Sequence, residues 1–245
     1  EIAKKVKYIF IVGDMVDGIG IYPAQEKELK IKDVNKQYEA FSNFIKQIPQ
    51  TIHIIISTGN HDAVRLAEPQ PKIPIHLCPE IYAQPNTTFV GNPAIVTIHA
   101  TQDFPGFDVL MYHGYSYDYY GDVVESIRTS GRHISDRNDL IMKFLLQRRH
   151  LAPTYSSTPY IPDPIQDPLV IDKVPDIFLS GHVHRAAIAS YRGVQIISGS
   201  CWQAKTAFQE KVGHDPEPCR VPIINLKTRN VRMLRFDQPP IEGKK

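Results

Sequence analysis

The sequence predicts a mixed α/β sandwich with a β-rich second half. Three observations predict it. Short continuous apolar runs stop at glycine, a strand–helix–strand alternation fills the first sixty residues, and two strand pairs joined by short turns close the chain. The 245 residues are enough to bury one substantial core.

Residues 1–7 are charged and helix-like, and run into an apolar stretch with no cap and no initiator methionine, so the chain is expected to lack an N-terminal segment. Residues 8–12 are a continuous apolar run closed by Gly13 and Asp14, the pattern of a strand buried on both faces. After a polar loop with Gly18, Gly20 and Pro23, a helix is predicted from Asp33. Val34, Tyr38, Phe41, Ile45 and Ile48 are spaced by four and three, and Pro49 stands where that helix should stop. Residues 52–57 make a second buried strand leading to Gly59, which completes a βαβ unit. In such units ligand-binding residues gather beyond the carboxyl ends of the strands.

The stretch 69–93 is rich in proline. Strands are predicted at 94–99 and 108–112, and Ser135 is the expected cap of a helix through Leu140, Ile141, Phe144 and Leu145. A proline-rich loop covers 155–168, and a strand at 176–180 is stopped by Gly181. Residues 187–191 and 194–198 flank Arg192-Gly193, a short-hairpin signal, and 221–226 with 231–236 form a last hairpin. One domain is expected over residues 1–237, with a loose tail at 238–245.

The formal net charge is +2, from 28 basic and 26 acidic side chains, which argues against a protein that coats nucleic acid through bulk charge. Cys78, Cys201 and Cys219 are far apart and form no Cys-x-x-Cys pair, as expected in a reducing compartment without a zinc ribbon. The apolar runs are too short to span a bilayer, and the chain is read as cytosolic, with no membrane partner.

Four clusters sit just after predicted strands: Gly13-Asp14-Met15-Val16-Asp17, Gly59-Asn60-His61-Asp62, Tyr112-His113-Gly114 and Gly181-His182-Val183-His184. Asp14 offers a carboxylate able to bridge two cations. His113, His182 and His184 offer imidazole nitrogens, and Asn60 a carbonyl oxygen. This mixed set suits manganese, iron or zinc better than calcium. Two ions about 3.5–4 Å apart clamp a phosphate and activate water for in-line attack. Taken singly the clusters have plainer readings: a turn, a core histidine, a loop, and Asp17 and Asp62 as caps of local backbone. Four clusters in one order, each at a strand end, favour a shared site.

That order resembles the calcineurin-like metallophosphoesterases, whose pattern is Asp-x-His, Gly-Asp-x-x-Asp, Gly-Asn-His-Asp/Glu, a single His, then Gly-His-x-His. The resemblance implies a β-sandwich flanked by helices with a two-metal site at the strand ends. It implies that Asp14 bridges the ions, that Asn60, His113 and His182 complete the second, and that His184 serves the first. It makes His61 the residue that contacts phosphate and assists the leaving oxygen. Asp17 and Asp62 would support catalysis by orienting these groups.

A narrower resemblance covers nearly the whole chain. Gly13-Asp14-Met15-Val16-Asp17-Gly18 with Tyr22-Pro23, Pro69-Gln70-Pro71, Tyr191-Arg192-Gly193-Val194-Gln195, Trp202-Gln203-Ala204-Lys205-Thr206 and Phe208-Gln209 are similar to the small subunit of the archaeal D-family DNA polymerase. That family implies a proofreading 3′→5′ exonuclease acting on single-stranded or mismatched DNA 3′ ends, together with a large catalytic subunit in a prokaryotic, nucleoid-associated setting. It implies two divalent ions, manganese first, with iron, zinc or nickel as alternatives. The sequence contains no Asp-x-His, so the first-metal site is expected to be incomplete and this chain weak or inactive.

The rival readings are a phosphatase or nucleotidase of the same superfamily, a non-catalytic B-subunit-type scaffold of a replicative polymerase, and a structural domain of a DNA-repair complex. Arg128, Arg132 and Arg137, with Tyr115, Tyr117, Tyr119 and Tyr120, are read either as a single-stranded DNA path or as a solvated loop. Trp202 and Phe208 are read as partner contacts or, in preference, as core packing.

Overall fold

The computed structural model describes residues 2–211 and 213–237, so the expected loose tail lies outside the described residues. A 3-10 turn at Ala3–Lys5, in place of the helix-like start, leads into β1 (Tyr8–Val12). After a second such turn at Gln25–Lys27 come α1 (Val34–Ile45) and β2 (His53–Ser57). Then follow α2 (Pro79–Tyr82), β3 (Thr87–Phe89), β4 (Ala94–Ile98) and β5 (Phe107–Tyr112). Helices α3 (Tyr117–Val123), α4 (Glu125–Arg128) and α5 (Asn138–Arg148) precede β6 (Ile177–Ser180), β7 (Ala187–Tyr191) and β8 (Val194–Ser198). The described chain closes with α6 (Ala207–Lys211), β9 (Arg220–Ile224) and β10 (Val231–Arg235).

Strands β1, β2 and β3 form a parallel sheet in that order. The larger sheet runs β4-β5-β6-β8-β7, with β5, β6 and β8 parallel and the two edge strands antiparallel. The alternation of side chains along each strand sorts the apolar residues into layers. Ile55 of β2, Val109 and Met111 of β5, and Ile177 and Leu179 of β6 meet in the core between the sheets, where the β9–β10 hairpin adds Ile224 and Val231. Ile54 and Ile56 face the other way, onto Tyr38 and Ile45 of α1 and Ile81 of α2. Leu110, Tyr112, Phe178 and Ile196 turn from the large sheet toward α3, α4 and α5. The result is the expected mixed α/β sandwich, with helices covering the outer face of each sheet.

The helix begins where expected, and Asp33 caps α1, its carboxylate accepting from the N–H groups of Asn35 and Lys36. Four expectations need correction. β1 is half-buried rather than buried on both faces, because it is an edge strand of its sheet. Ser135 does not cap α5. It lies buried in a 3-10 turn, where its hydroxyl accepts from the Asp215 N–H, and α5 begins at Asn138. The stretch after His113, read as a DNA path or a solvated loop, is partly core: α3 buries Tyr117 and Tyr120, Tyr115 and Tyr119 are half-buried, and Arg128 and Arg132 stay exposed, with Arg132 paired to Asp139 and Arg137 donating to backbone carbonyls. Trp202 and Phe208 are exposed rather than packed in the core. Among the described residues no helix is long and apolar enough to cross a membrane.

Phe178 is fully buried between the large sheet and its helices. Phe178→Ala should cost about 3–5 kcal/mol in urea unfolding. Phe44→Ala, at an exposed position of α1, should cost about 0.5 kcal/mol or less.

Candidate metal centre

The C-terminal ends of β1 and β2 in one sheet, and of β5 and β6 in the other, come together at one end of the sandwich. The join is direct, since His113 Nδ1 donates to the Val12 carbonyl at 2.7 Å. That bond fixes the His113 tautomer and leaves Nε2 facing the site. His113 Nε2 lies 2.9 Å from Asn60 Oδ1 and 3.3 Å from Asp14 Oδ2, while His182 Nδ1 lies 3.1 Å from the same Asn60 oxygen. Four donors from four strand ends therefore converge.

The local backbone is built for this approach. Asp14, His182 and His184 adopt left-handed φ values of 53°, 66° and 58°, a conformation that costs about 1–3 kcal/mol for a non-glycine residue and concentrates at functional sites. A Cβ on Gly59 would stand 2.2 Å from Asp14 Oδ1, and one on Gly13 2.5 Å from His113 Nδ1. Only glycine lets the two loops and the ring close on one another.

Asp62 holds those loops together. Its Oδ2 accepts from the N–H groups of Asp14 (2.9 Å) and Gly59 (2.8 Å), and its Oδ1 from Met15 N–H (3.2 Å) and Tyr38 O–H (3.1 Å). Its four donors are thus three backbone N–H groups and one phenol, which makes it a positioning residue. Burial first, then the charge of Asp14, pushes its carboxyl up to about 7, against the Gly59 N–H and His113.

The electrostatics of the donors differ. Burial by itself would raise the Asp14 carboxyl, but the charge and hydrogen bond of His113, with His61 behind them, hold it well below the usual carboxylate range. Burial would also lower His113, yet the Asp14 carboxylate and the Val12 carbonyl bring it up to about 9. Burial, with its histidine neighbours, holds His184 at about 4 against the pull of Asp14, so its ring is neutral near neutrality. His184 shares no hydrogen bond with the other donors; its Nδ1 meets Gln209 Nε2 at 2.8 Å.

Ligands about 2.1 Å from a common small cation lie roughly 3 Å from one another. The His113–Asp14, His113–Asn60 and His182–Asn60 spacings, 3.3, 2.9 and 3.1 Å, match that requirement. Among the described residues no three His, Cys, Asp or Glu side chains form a metal cluster by themselves. Convergence here runs through the Asn60 carboxamide, a neutral oxygen donor. The donor set and the glycine-made space fit a small divalent cation.

His61 lies alongside. Its backbone N–H donates to Asp14 Oδ1 (2.9 Å), and its ring Nδ1 donates to the Asp17 carbonyl (2.8 Å), which leaves Nε2 for a substrate. The Asp17 carboxylate receives Gln203 Nε2. Sequence reasoning missed three supporting residues. Asp118 faces the far nitrogen of His182 at 3.2 Å, and Gln203 and Gln209 reach Asp17 and His184. No spacing marks them, since only the fold brings positions 118 and 182 together. Behind the centre, Asn92 accepts from His113 N–H (2.7 Å) and donates to Gln70 (2.8 Å), which in turn donates to the Gly59 carbonyl (3.0 Å).

A family model for the B-subunit of DNA polymerase alpha/epsilon matches residues 2–188. The chain is 44% identical over 227 residues to the DNA polymerase II small subunit of Methanocaldococcus jannaschii, a match covering 92% of this chain and 36% of that one. It is 45% identical over 237 residues to the Archaeoglobus fulgidus small subunit (96% and 45%). To that of Methanothermobacter thermautotrophicus it is 41% identical over 236 residues (96% and 46%). The chain thus spans less than half the length of these curated relatives. Among solved structures, an archaeal phosphodiesterase aligns with a TM-score of 0.39 at 15% identity (94% and 84% covered), and Vps29 from Entamoeba histolytica with 0.37 at 11% (94% and 83%).

The raised His113 value has a signed consequence for stability. In chelator-treated protein, its contribution is fully present below the unfolded value of 6.5 and is lost as pH rises through about 9. Tm should therefore fall between about pH 7 and 9.5, with up to about 3 kcal/mol at stake. His113→Gln should flatten that slope in a pH series of thermal melts.

Proposed function

This chain belongs to the DNA polymerase alpha/epsilon B-subunit family, and we propose that within it the chain is the phosphodiester-cleaving part of an archaeal-type DNA polymerase II small subunit. In this reading it is a divalent-metal-dependent 3′→5′ exonuclease. It removes nucleotides from single-stranded or mismatched DNA 3′ ends, in company with a large catalytic subunit. The observation that carries the reading is the convergence of Asp14, Asn60, His113 and His182 at the strand ends of both sheets. A scaffold would have no use for buried, strained, glycine-cradled donors.

Asp14, Asn60, His113 and His182 would hold one ion, and Asp14 with His184 would face a second. Manganese is the proposed ion, with iron, zinc or nickel as alternatives. Bound divalent ions supply positive charge for the phosphate and acidify the attacking water. His61 presents Nε2 to the phosphate because Asp17 fixes its Nδ1, and from there it gives a proton or hydrogen bond to the leaving oxygen. Asp62 keeps Asp14 and the Gly59–His61 backbone in register. Asp118 and Gln209 hold the rings of His182 and His184 from behind.

The test is manganese-dependent shortening of 3′-mismatched DNA by this chain, beside a version extended upstream through an Asp-x-His motif. Shortening from the 3′ end that stops with chelator is expected of the extended version, with little or none by this chain. His61→Ala should lower the rate about 10²–10⁴-fold and leave manganese binding in place, whereas Asn60→Ala should lose both. Turnover of a simple phosphomonoester without DNA cleavage would point instead to a phosphatase. No hydrolysis by either version would leave the scaffold reading.

A further inference from the structure

Trp202 is the single tryptophan of the chain, and it stands 69% exposed in the segment after β8. A large aromatic ring left in water beside a working site is a binding feature until shown otherwise, because it forgoes burial that the core offers elsewhere. Its neighbours tie it to the candidate centre. Gln203 donates to the Asp17 carboxylate, and the Asp17 carbonyl orients His61. On α6, Phe208 stacks on Tyr22 with centroids 5.1 Å apart and planes 19° apart, and the adjacent Gln209 reaches His184. The Trp202 ring lies 5.8 Å from that of Phe236, itself 59% exposed. Each aromatic pair is therefore tied to the candidate site through a neighbouring glutamine, Gln203 beside Trp202 and Gln209 beside Phe208.

Charge does not supply the grip here. Lys205 faces Asp215, and Arg185 is shared among Asp136, Asp215 and Glu217. The whole chain carries only +2. A strand held weakly through its phosphates can be held through its bases, since every base has a stackable face and stacking tolerates any sequence. A base presents both faces only when it is unpaired.

We propose that Trp202, set against Phe236 and tied to the candidate site through Gln203, is a platform for an unpaired nucleobase of the strand whose phosphodiester lies at the metal centre. The inference rests on the phosphodiesterase reading above and adds to it a residue that selects frayed or single-stranded ends over paired ones.

The single tryptophan makes the test direct. Oligothymidylate of about 10 nucleotides is titrated in the presence of manganese into the chain carrying His61→Ala, the background for every variant below, so that the strand is not cut. Tryptophan emission and the anisotropy of a labelled strand are read together. Emission should be quenched over the same concentration range in which anisotropy rises. Trp202→Ala should weaken binding about tenfold and Trp202→Tyr should keep most of it. A strand of abasic sites should bind the chain that keeps Trp202 no better than oligothymidylate binds Trp202→Ala. Binding without quenching, or undiminished binding by Trp202→Ala, overturns the platform and leaves the phosphodiesterase reading standing. No binding by either measure removes both.

Discussion

The carboxylate of Asp62 is the fastening on which the candidate centre depends. It is 4% exposed and receives the N–H groups of Asp14, Met15 and Gly59 together with the Tyr38 hydroxyl. Without it, the buried N–H groups of Met15 and Gly59 would lose their partner, at about 1–3 kcal/mol each, and the part-buried Asp14 N–H would lose its own. The loop after β1 would then part from the loop after β2. Tyr38 extends the fastening into α1, because its oxygen also accepts the Ala63 N–H. The helix that covers the small sheet thus helps to set the position of Asp14, and packing and chemistry share one bond network.

A second constraint joins the sheets. His113 belongs to the large sheet by chain connection and to the small sheet by its bond to Val12. Its backbone is held by Asn92, which links through Gln70 back to Gly59. The ring is therefore located from three directions before any ligand arrives. This is the preorganisation that metal and phosphate chemistry require. The same closeness explains the opposite electrostatic settings of neighbouring groups, a strongly acidic Asp14 and a basic His113, each the cause of the other.

Much of this was legible in the sequence because buried strands announce themselves. The runs ending at Val12, Ser57, Tyr112 and Ser180 are apolar and stop where glycine or a ligand begins, so both the strands and the donors after them could be read together. Asp33, with Val34, Tyr38 and Ile45 at helical spacing, marked α1. What stayed hidden depends on tertiary context. β3 is three residues long with two threonines, and α3 carries glycine, aspartate and tyrosines whose burial comes only from packing on α5 and the large sheet. Ser135 has the right type for a cap, yet the chain spends its hydroxyl on Asp215. Trp202 reads as core by composition, and only the fold leaves it exposed. Asp118 and Gln209 lie 64 and 25 residues from the histidines they touch, a separation no local pattern records.

The central claim is that Asp14, Asn60, His113 and His182 form a cation site. Diffraction from crystals equilibrated with manganese, collected at the manganese absorption edge, tests it most directly. The account predicts an anomalous peak enclosed by the Asp14 carboxylate, Asn60 Oδ1, His113 Nε2 and His182 Nδ1. A saturated crystal with no peak there, and with both rings still hydrogen-bonded to Asn60, would contradict it.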